Sequence, residues 1–132
     1  MNKINILSDL LVSIKNGYSN NNKYAYCKLN QFCLTVLWVL YKEGLINDYK
    51  IEPNNSKIKI KLKYYNNKPL MNNITLISKP SFKHFINYED LKSFDKKFDY
   101  YFLSTSSGIV SSRNIEKDLK IGGELLFGLK LN

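Results

Sequence analysis

The apolar positions of the chain change period several times, and each change predicts an element. Leu7, Leu10, Leu11 and Ile14 recur at helical spacing, so a helix occupies the first stretch. Asn5 would cap it and Asn16-Gly17 would stop it. Ser19 to Lys23 is polar and reads as a loop, and Tyr24 to Leu29 alternates like a short strand. A second helix is predicted from about Asn30 to Glu43, closed by Gly44. Its Phe32, Cys33, Val36, Leu37 and Leu40 form the wide apolar stripe of a core helix.

Leu45 to Glu52 reads as a strand and Pro53-Asn54-Asn55 as a turn. Lys57 to Tyr64 is the cleanest strand. Ile58, Ile60, Leu62 and Tyr64 point one way, while Lys57, Lys59, Lys61 and Lys63 point the other. Asn66-Asn67 permits a tight turn, because Asn tolerates positive φ. Further strands are predicted at Met71–Ser78, Tyr100–Ser104 and Glu124–Leu129. Short helices are predicted at Glu89–Phe94 and Ser111–Leu119. The expected fold class is α/β in the α+β sense, with a boundary near Asn66 to Leu70. Residues 1–68 would form an N-terminal α/β domain and residues 69–132 a β-rich C-terminal one.

A chain of 132 residues fits such an arrangement, and 44% hydrophobic content excludes a wholly disordered polymer. Charge changes the picture. Lys and Arg number 20 against 11 Asp and Glu, for a net charge of +9, so a polyanionic partner is expected, nucleic acid before membrane. Seven lysines and no carboxylate lie between Pro53 and Tyr88. A solvated lysine face that discourages edge pairing is the plainer alternative. Asn, Lys, Ile, Tyr and Phe supply half of the residues, while Ala25 and Arg113 are the only Ala and Arg. The pattern matches AT-rich codons and suggests an AT-rich genome, such as that of an organelle. The longest apolar run, Phe32 to Tyr41, falls well short of the ~20 residues of a membrane helix. The N-terminus lacks the pattern of a signal or transit peptide, so synthesis in the working compartment is expected.

Enzymatic chemistry finds little support. Cys27 and Cys33 lack the partners of a zinc site, and two cysteines make no disulfide framework. His84 is the sole histidine, without an evident orienting carboxylate. Glu89-Asp90 suits a helix start better than acid–base work. No Gly-rich phosphate loop occurs, and no cofactor or metal is expected. The informative segment is Leu103-Ser104-Thr105-Ser106-Ser107-Gly108-Ile109-Val110. It delivers hydroxyls into a tight turn after an apolar strand, where they can meet phosphates, ribose hydroxyls and base edges of an RNA minor groove. A serine-rich turn with a helix cap is the structural alternative.

That segment, with Ile121-Gly122-Gly123-Glu124-Leu125-Leu126 after it, resembles the C-terminal signature of the bacterial-type small-subunit ribosomal protein eight family. Supporting blocks are Asp9-Leu10-Leu11 with Ile14-Lys15-Asn16-Gly17, Val39-Leu40 with Glu43-Gly44 and Ile46, Leu62-Lys63-Tyr64, and Ile77-Ser78-Lys79-Pro80. The resemblance covers nearly the whole chain in register. It implies two tightly associated domains, α-β-α-β-β in front and mostly β with a short helix behind. It also implies a structural, non-enzymatic component of the small ribosomal subunit that binds the central domain of its rRNA early in assembly and supports translation, beside neighbouring ribosomal proteins. Ser104, Thr105, Ser106, Ser107 and Gly108 would form the loop that meets RNA. Glu124, with Gly122 and Gly123, would support the loop, and Phe85 takes the place of the family's stacking aromatic. Lys28, Lys57, Lys59, Lys79 and Lys83 would neutralise phosphates.

The chain departs from the family's pattern at Ser107, where many relatives carry Lys, and at Phe85, which lacks the Tyr hydroxyl. Ser81 replaces a Gly, Asn5-Ile6 replaces Asp-Pro, and the tail Lys130-Leu131-Asn132 runs slightly further. Composition and family together suggest an organelle-encoded protein of a mitochondrial ribosome, with plastid or bacterial cytoplasm as alternatives. A free-standing RNA-binding translational regulator is the rival function.

Overall fold

A computed structural model describes residues 3–79, 81–92, 98–114 and 121–132. The chain divides into two compact units, residues 1–72 with 132 and residues 73–131. The architecture is α+β, with helices beside antiparallel sheets.

The first unit opens with α1 (Lys3–Ser19), which buries Leu7, Leu10, Leu11 and Ile14 as its period requires, together with Ile4 and Tyr18. Both of its expected ends move outward. Asn5 lies inside the first turn rather than at the cap, and Asn16-Gly17 does not end the helix. Gly17 serves contact instead. A Cβ there would lie 2.8 Å from Leu62 Cδ1 and 3.3 Å from Ala25 Cβ, so the bare backbone lets the sheet approach the helix. The chain leaves the helix after Ser19, with Asn21 at φ 54 and the Asn22 N–H bonded to the Gly17 carbonyl at 2.9 Å.

The second helix follows its sequence signals closely. β1 (Tyr24–Lys28) leads into α2 (Gln31–Lys42), whose N-cap Asn30 accepts the Phe32 N–H at 2.8 Å. Gly44 at φ 74 ends it, in the left-handed region that side chains resist. The expected strand from Leu45 starts later, as β2 (Asp48–Glu52), because Leu45 and Ile46 go into the core of the connection. β3 (Lys57–Lys61) is the central strand of the order β1-β3-β2, with Ile58 and Ile60 fully buried. β4 (Tyr64–Tyr65) and β5 (Lys68–Pro69) form a hairpin. Asn66 at φ 52 and Asn67 at φ 65 occupy its turn, the two positive-φ positions that a right-twisted two-residue hairpin demands. Asn132 returns to this unit, its N–H bonded to the Leu70 carbonyl at 2.9 Å.

The second unit is built on a five-stranded antiparallel sheet. Its strands are β6 (Met71–Leu76), β7 (Phe85–Ile86), β8 (Tyr100–Thr105), β9 (Gly108–Ser111) and β10 (Gly123–Leu131). The order is β6-β10-β8-β9, and β7 also pairs with β10. Tyr100 to Leu103 are buried in succession, so β8 is covered on both faces. Phe102 and Phe127 stack at 4.7 Å and 11°, worth about 0.5–1.5 kcal/mol beyond the area they bury. The predicted helices are shorter: α3 (Tyr88–Lys92) and α4 (Ser112–Asn114), with residues 93–94 and 115–119 of those expectations outside the described residues. Asn87 caps α3 by accepting the Asp90 N–H at 2.7 Å, and Glu89 and Asp90 lie in its first turn.

Tyr18 gives the first unit a pH dependence. Burial pushes its hydroxyl up from 10.0 to about 12, although the Lys63 N–H that it accepts at 3.2 Å pulls the other way. The fold therefore holds the neutral phenol. Its contribution is complete below pH 10 and is lost as pH rises through about 12. Tyr18→Phe should flatten the fall in stability between those limits. Urea unfolding of both proteins at several alkaline pH values measures it, and identical slopes would remove Tyr18 as the cause.

Candidate nucleic-acid interface

The hydroxyl segment forms the turn between β8 and β9, with Thr105 opposite Gly108. Two bonds from one side chain hold it. Thr105 Oγ1 donates to the Gly108 carbonyl at 2.8 Å and accepts the Ser107 N–H at 3.1 Å. Gly108 sits at φ +100 with open space around a would-be Cβ, so its requirement is conformational rather than steric. Thr105 thus spends its hydroxyl on the turn, while Ser104, Ser106 and Ser107 stay exposed. Of the turn residues expected to meet RNA, Ser104, Ser106, Ser107 and Gly108 are exposed, and Thr105 braces the turn at Ser107 and Gly108.

Strand register puts distant residues in one row. Phe85 on β7 pairs with Glu124 on β10, Glu124 with Ser104 on β8, and Ser104 with Ile109 on β9. Directly paired residues share a sheet face, so Phe85, Glu124 and Ser104 project together. Phe85 is 70% exposed. Gly122 and Gly123 allow the close approach. A Cβ at Gly123 would lie 2.3 Å from the Ser104 carbonyl oxygen, and one at Gly122 would lie 2.4 Å from that of Ile86. Both obstacles are backbone. Glu124 is half-buried, and its Oε2 is enclosed with no hydrogen-bond partner among the described residues. An orphaned acceptor of this kind costs about 1–3 kcal/mol, and it lies between an exposed ring and an exposed hydroxyl. Chemically the row offers a stacking surface and a two-way hydroxyl, with the half-buried Glu124 between them.

Lys79 and Lys83 are exposed on the segment that leads into β7. The lysines of the three-stranded sheet are arranged differently from expectation. Across β1, β3 and β2 the rows are Tyr24–Lys61–Asp48, Tyr26–Lys59–Lys50 and Lys28–Lys57–Glu52. Carboxylates from β2 therefore stand beside Lys61 and Lys57, and the expected face of ammonium groups alone is a mixed one. Lys63 leaves the array, because its Nζ bonds the Gly44 carbonyl at 2.8 Å beyond the end of α2. Lys59 Nζ lies 4.1 Å over the Tyr24 ring. Lys28 and Lys57 remain exposed and adjacent.

Some participants escaped the sequence reading. Ser78 is fully buried, donates to the Leu125 carbonyl and accepts the His84 N–H at 3.0 Å, pinning the segment before β7 to β10. Nothing in its local pattern distinguishes it from any serine at a strand end. His84 is an edge-on neighbour of the Phe82 ring. Cys27 and Cys33 are free thiols on β1 and α2.

Comparison with known proteins agrees with this architecture. The family model described as Ribosomal protein S8 matches residues 5–129. The chain belongs to the ribosomal protein S8 family. Among its relatives, Small ribosomal subunit protein uS8m of Acanthamoeba castellanii is 37% identical over 98% of this chain and 100% of its own length. Small ribosomal subunit protein uS8 of Ehrlichia chaffeensis is 34% identical over 93% of this chain and 95% of its own. The uS8 of Buchnera aphidicola subsp. Cinara cedri is 33% identical over 91% and 92%. The S8 family match spans both the hydroxyl turn and the Gly122-Gly123-Glu124 start of β10.

In this S8 family chain, Gly123→Ala should press a methyl group into the Ser104 carbonyl. Overpacking of that kind costs about 1–3 kcal/mol. Guanidinium unfolding reads the loss, and an unchanged midpoint would mean that β8 and β10 separate without cost.

Proposed function

We propose that this protein is a structural component of the small ribosomal subunit that binds the central domain of small-subunit rRNA and supports its assembly without catalysing a reaction. The observation that carries the reading is the row Phe85–Glu124–Ser104, an open aromatic face and an exposed hydroxyl held on either side of Glu124 across one sheet. Ser104 can donate or accept, and Phe85 can stack on an unpaired base. Ser106, Ser107 and the Gly108 backbone contact the shallow minor groove beside them, with Thr105 as the internal brace. Lys28, Lys57, Lys59, Lys79 and Lys83 supply phosphate neutralisation, which raises affinity without reading sequence.

The family and the relatives named for the small ribosomal subunit support the ribosomal setting. The AT-rich composition and the 37% identity to a uS8m support a mitochondrial ribosome as the working site. Co-sedimentation with small subunits at high salt is the expected behaviour. An exclusively ribosome-free pool would favour the translational regulator instead.

Binding to a central-domain fragment of small-subunit rRNA separates the two kinds of contact. Ser104→Ala should weaken binding by about 1 kcal/mol, the typical worth of one hydrogen bond. Lys59→Gln should reduce the slope of log K against log salt by about one unit, as one lost phosphate contact does. Unchanged affinity for the first variant would take Ser104 out of the interface. An unchanged slope for the second would leave Lys59 as a partner of Tyr24 alone.

A further inference from the structure

Phe82 has no role in the site described above. It is 66% exposed, and Phe85 three residues later is 70% exposed. Single exposed apolar side chains are ordinary. Here the backbone is hydrogen-bonded at Lys79, Phe82 and His84. The Lys79 N–H donates to the Phe82 carbonyl at 2.8 Å, and the Phe82 N–H returns to the Lys79 carbonyl at 3.0 Å. Ser78 ties the His84 N–H to β10, and the Leu125 N–H donates to the His84 carbonyl at 2.8 Å. The His84 ring meets the Phe82 ring at 6.3 Å and 83°, which orients the phenyl group while most of it stays in water. A large apolar ring is thereby held in solvent on an ordered frame.

We infer that Phe82, braced by His84, is a second stacking surface that takes one unpaired base of an RNA strand, separate from the base at Phe85. The inference rests on the RNA-binding reading above. Charge selects this occupant. Lys79 and Lys83 are exposed on either side of Phe82 in the chain, and the nearest carboxylates along the sequence are Glu52 and Glu89. Aromatic rings interleaved with ammonium groups suit a polyanion whose bases are splayed apart. An apolar protein surface would have to desolvate the same lysines without neutralising them. The clamped backbone matters to affinity, since a ring already in place loses little freedom when a base settles on it.

The test is equilibrium binding of the full chain to the central-domain rRNA fragment across a salt series. Phe82→Ala should weaken binding roughly 5- to 150-fold, the range for one lost base–aromatic stack. The salt slope should not change, because no phosphate contact is removed. Thermal unfolding should match the parent protein, since the ring is exposed, and Phe82→Trp should retain tight binding. Parental affinity for Phe82→Ala, alongside a weakened Ser104→Ala, would overturn this inference and leave the RNA-binding reading intact. A parent protein that binds the fragment no better than an unrelated duplex would sink both. If Phe82→Ala instead abolished self-association in sedimentation and left RNA affinity alone, the ring would be a contact between copies and the inference would fall.

Discussion

The row Phe85–Glu124–Ser104 depends on how closely three backbones approach at the start of β10. Gly122 and Gly123 place the strand where any side chain would strike the carbonyls of Ile86 and Ser104. That approach brings Phe85 from one neighbour and Ser104 from the other to either side of Glu124. Unlike a contact with a flexible side-chain end, it cannot be relieved by a rotamer change. The hydroxyl turn beyond Ser104 inherits its position from β8, and Thr105 with Gly108 then sets its shape. Positioning passes from backbone contact to register, and from register to the exposed groups. Sites built in this way lose less precision than sites on long loops, because packed strands carry the geometry.

The cationic surface obeys a weaker constraint. Lysine spacing along one strand fixes which face the side chains take, while the neighbouring strands decide what stands beside them. β2 contributes Asp48 and Glu52, Tyr24 lies under Lys59, and Gly44 engages Lys63. Such pairing lowers the repulsion that five lysines on one small sheet would otherwise create. It also divides the work. Charge spread over a mixed face gives attraction that salt screens, and the aligned polar row gives contacts that depend on fit. Net charge alone would overstate the first and miss the second.

Local patterns carried much of the fold into the sequence. The stripe of α2, its Asn30 cap and its Gly44 stop each rest on interactions within a few residues, and each is legible there. The same holds for the alternation of Ile58 and Ile60 and for the Asn66-Asn67 turn. Gly17 was misleading because its demand comes from Leu62 and Ala25, far along the chain. Asn5 misled because a capping residue type marks a possible start without excluding an earlier one. The site divides along the same line. The hydroxyl turn is contiguous and stands out, and the S8 family resemblance points to Glu124 and Phe85. The internal use of Thr105, the carboxylates beside the lysines and the clamp at Ser78 arise from register and tertiary packing, which one-dimensional spacing does not contain.

The exposed rings and the orphaned Glu124 oxygen share an energetic character. Each is a local loss for the free protein: apolar area left in water in one case, and an acceptor without a donor in the other. A fold under pressure for stability alone would bury the phenylalanines or give the carboxylate a partner. Instead the surrounding structure holds these groups fast, through Ser78, the Lys79–Phe82 bridge and the two glycines. The free energy that the exposed rings withhold from folding then becomes available to a ligand that supplies a flat face. Because the frame is already ordered, little of that gain is lost to immobilising side chains. In the proposed RNA-binding role a splayed base supplies that face, so the exposed rings that cost the isolated chain stability are the groups from which its complex would gain.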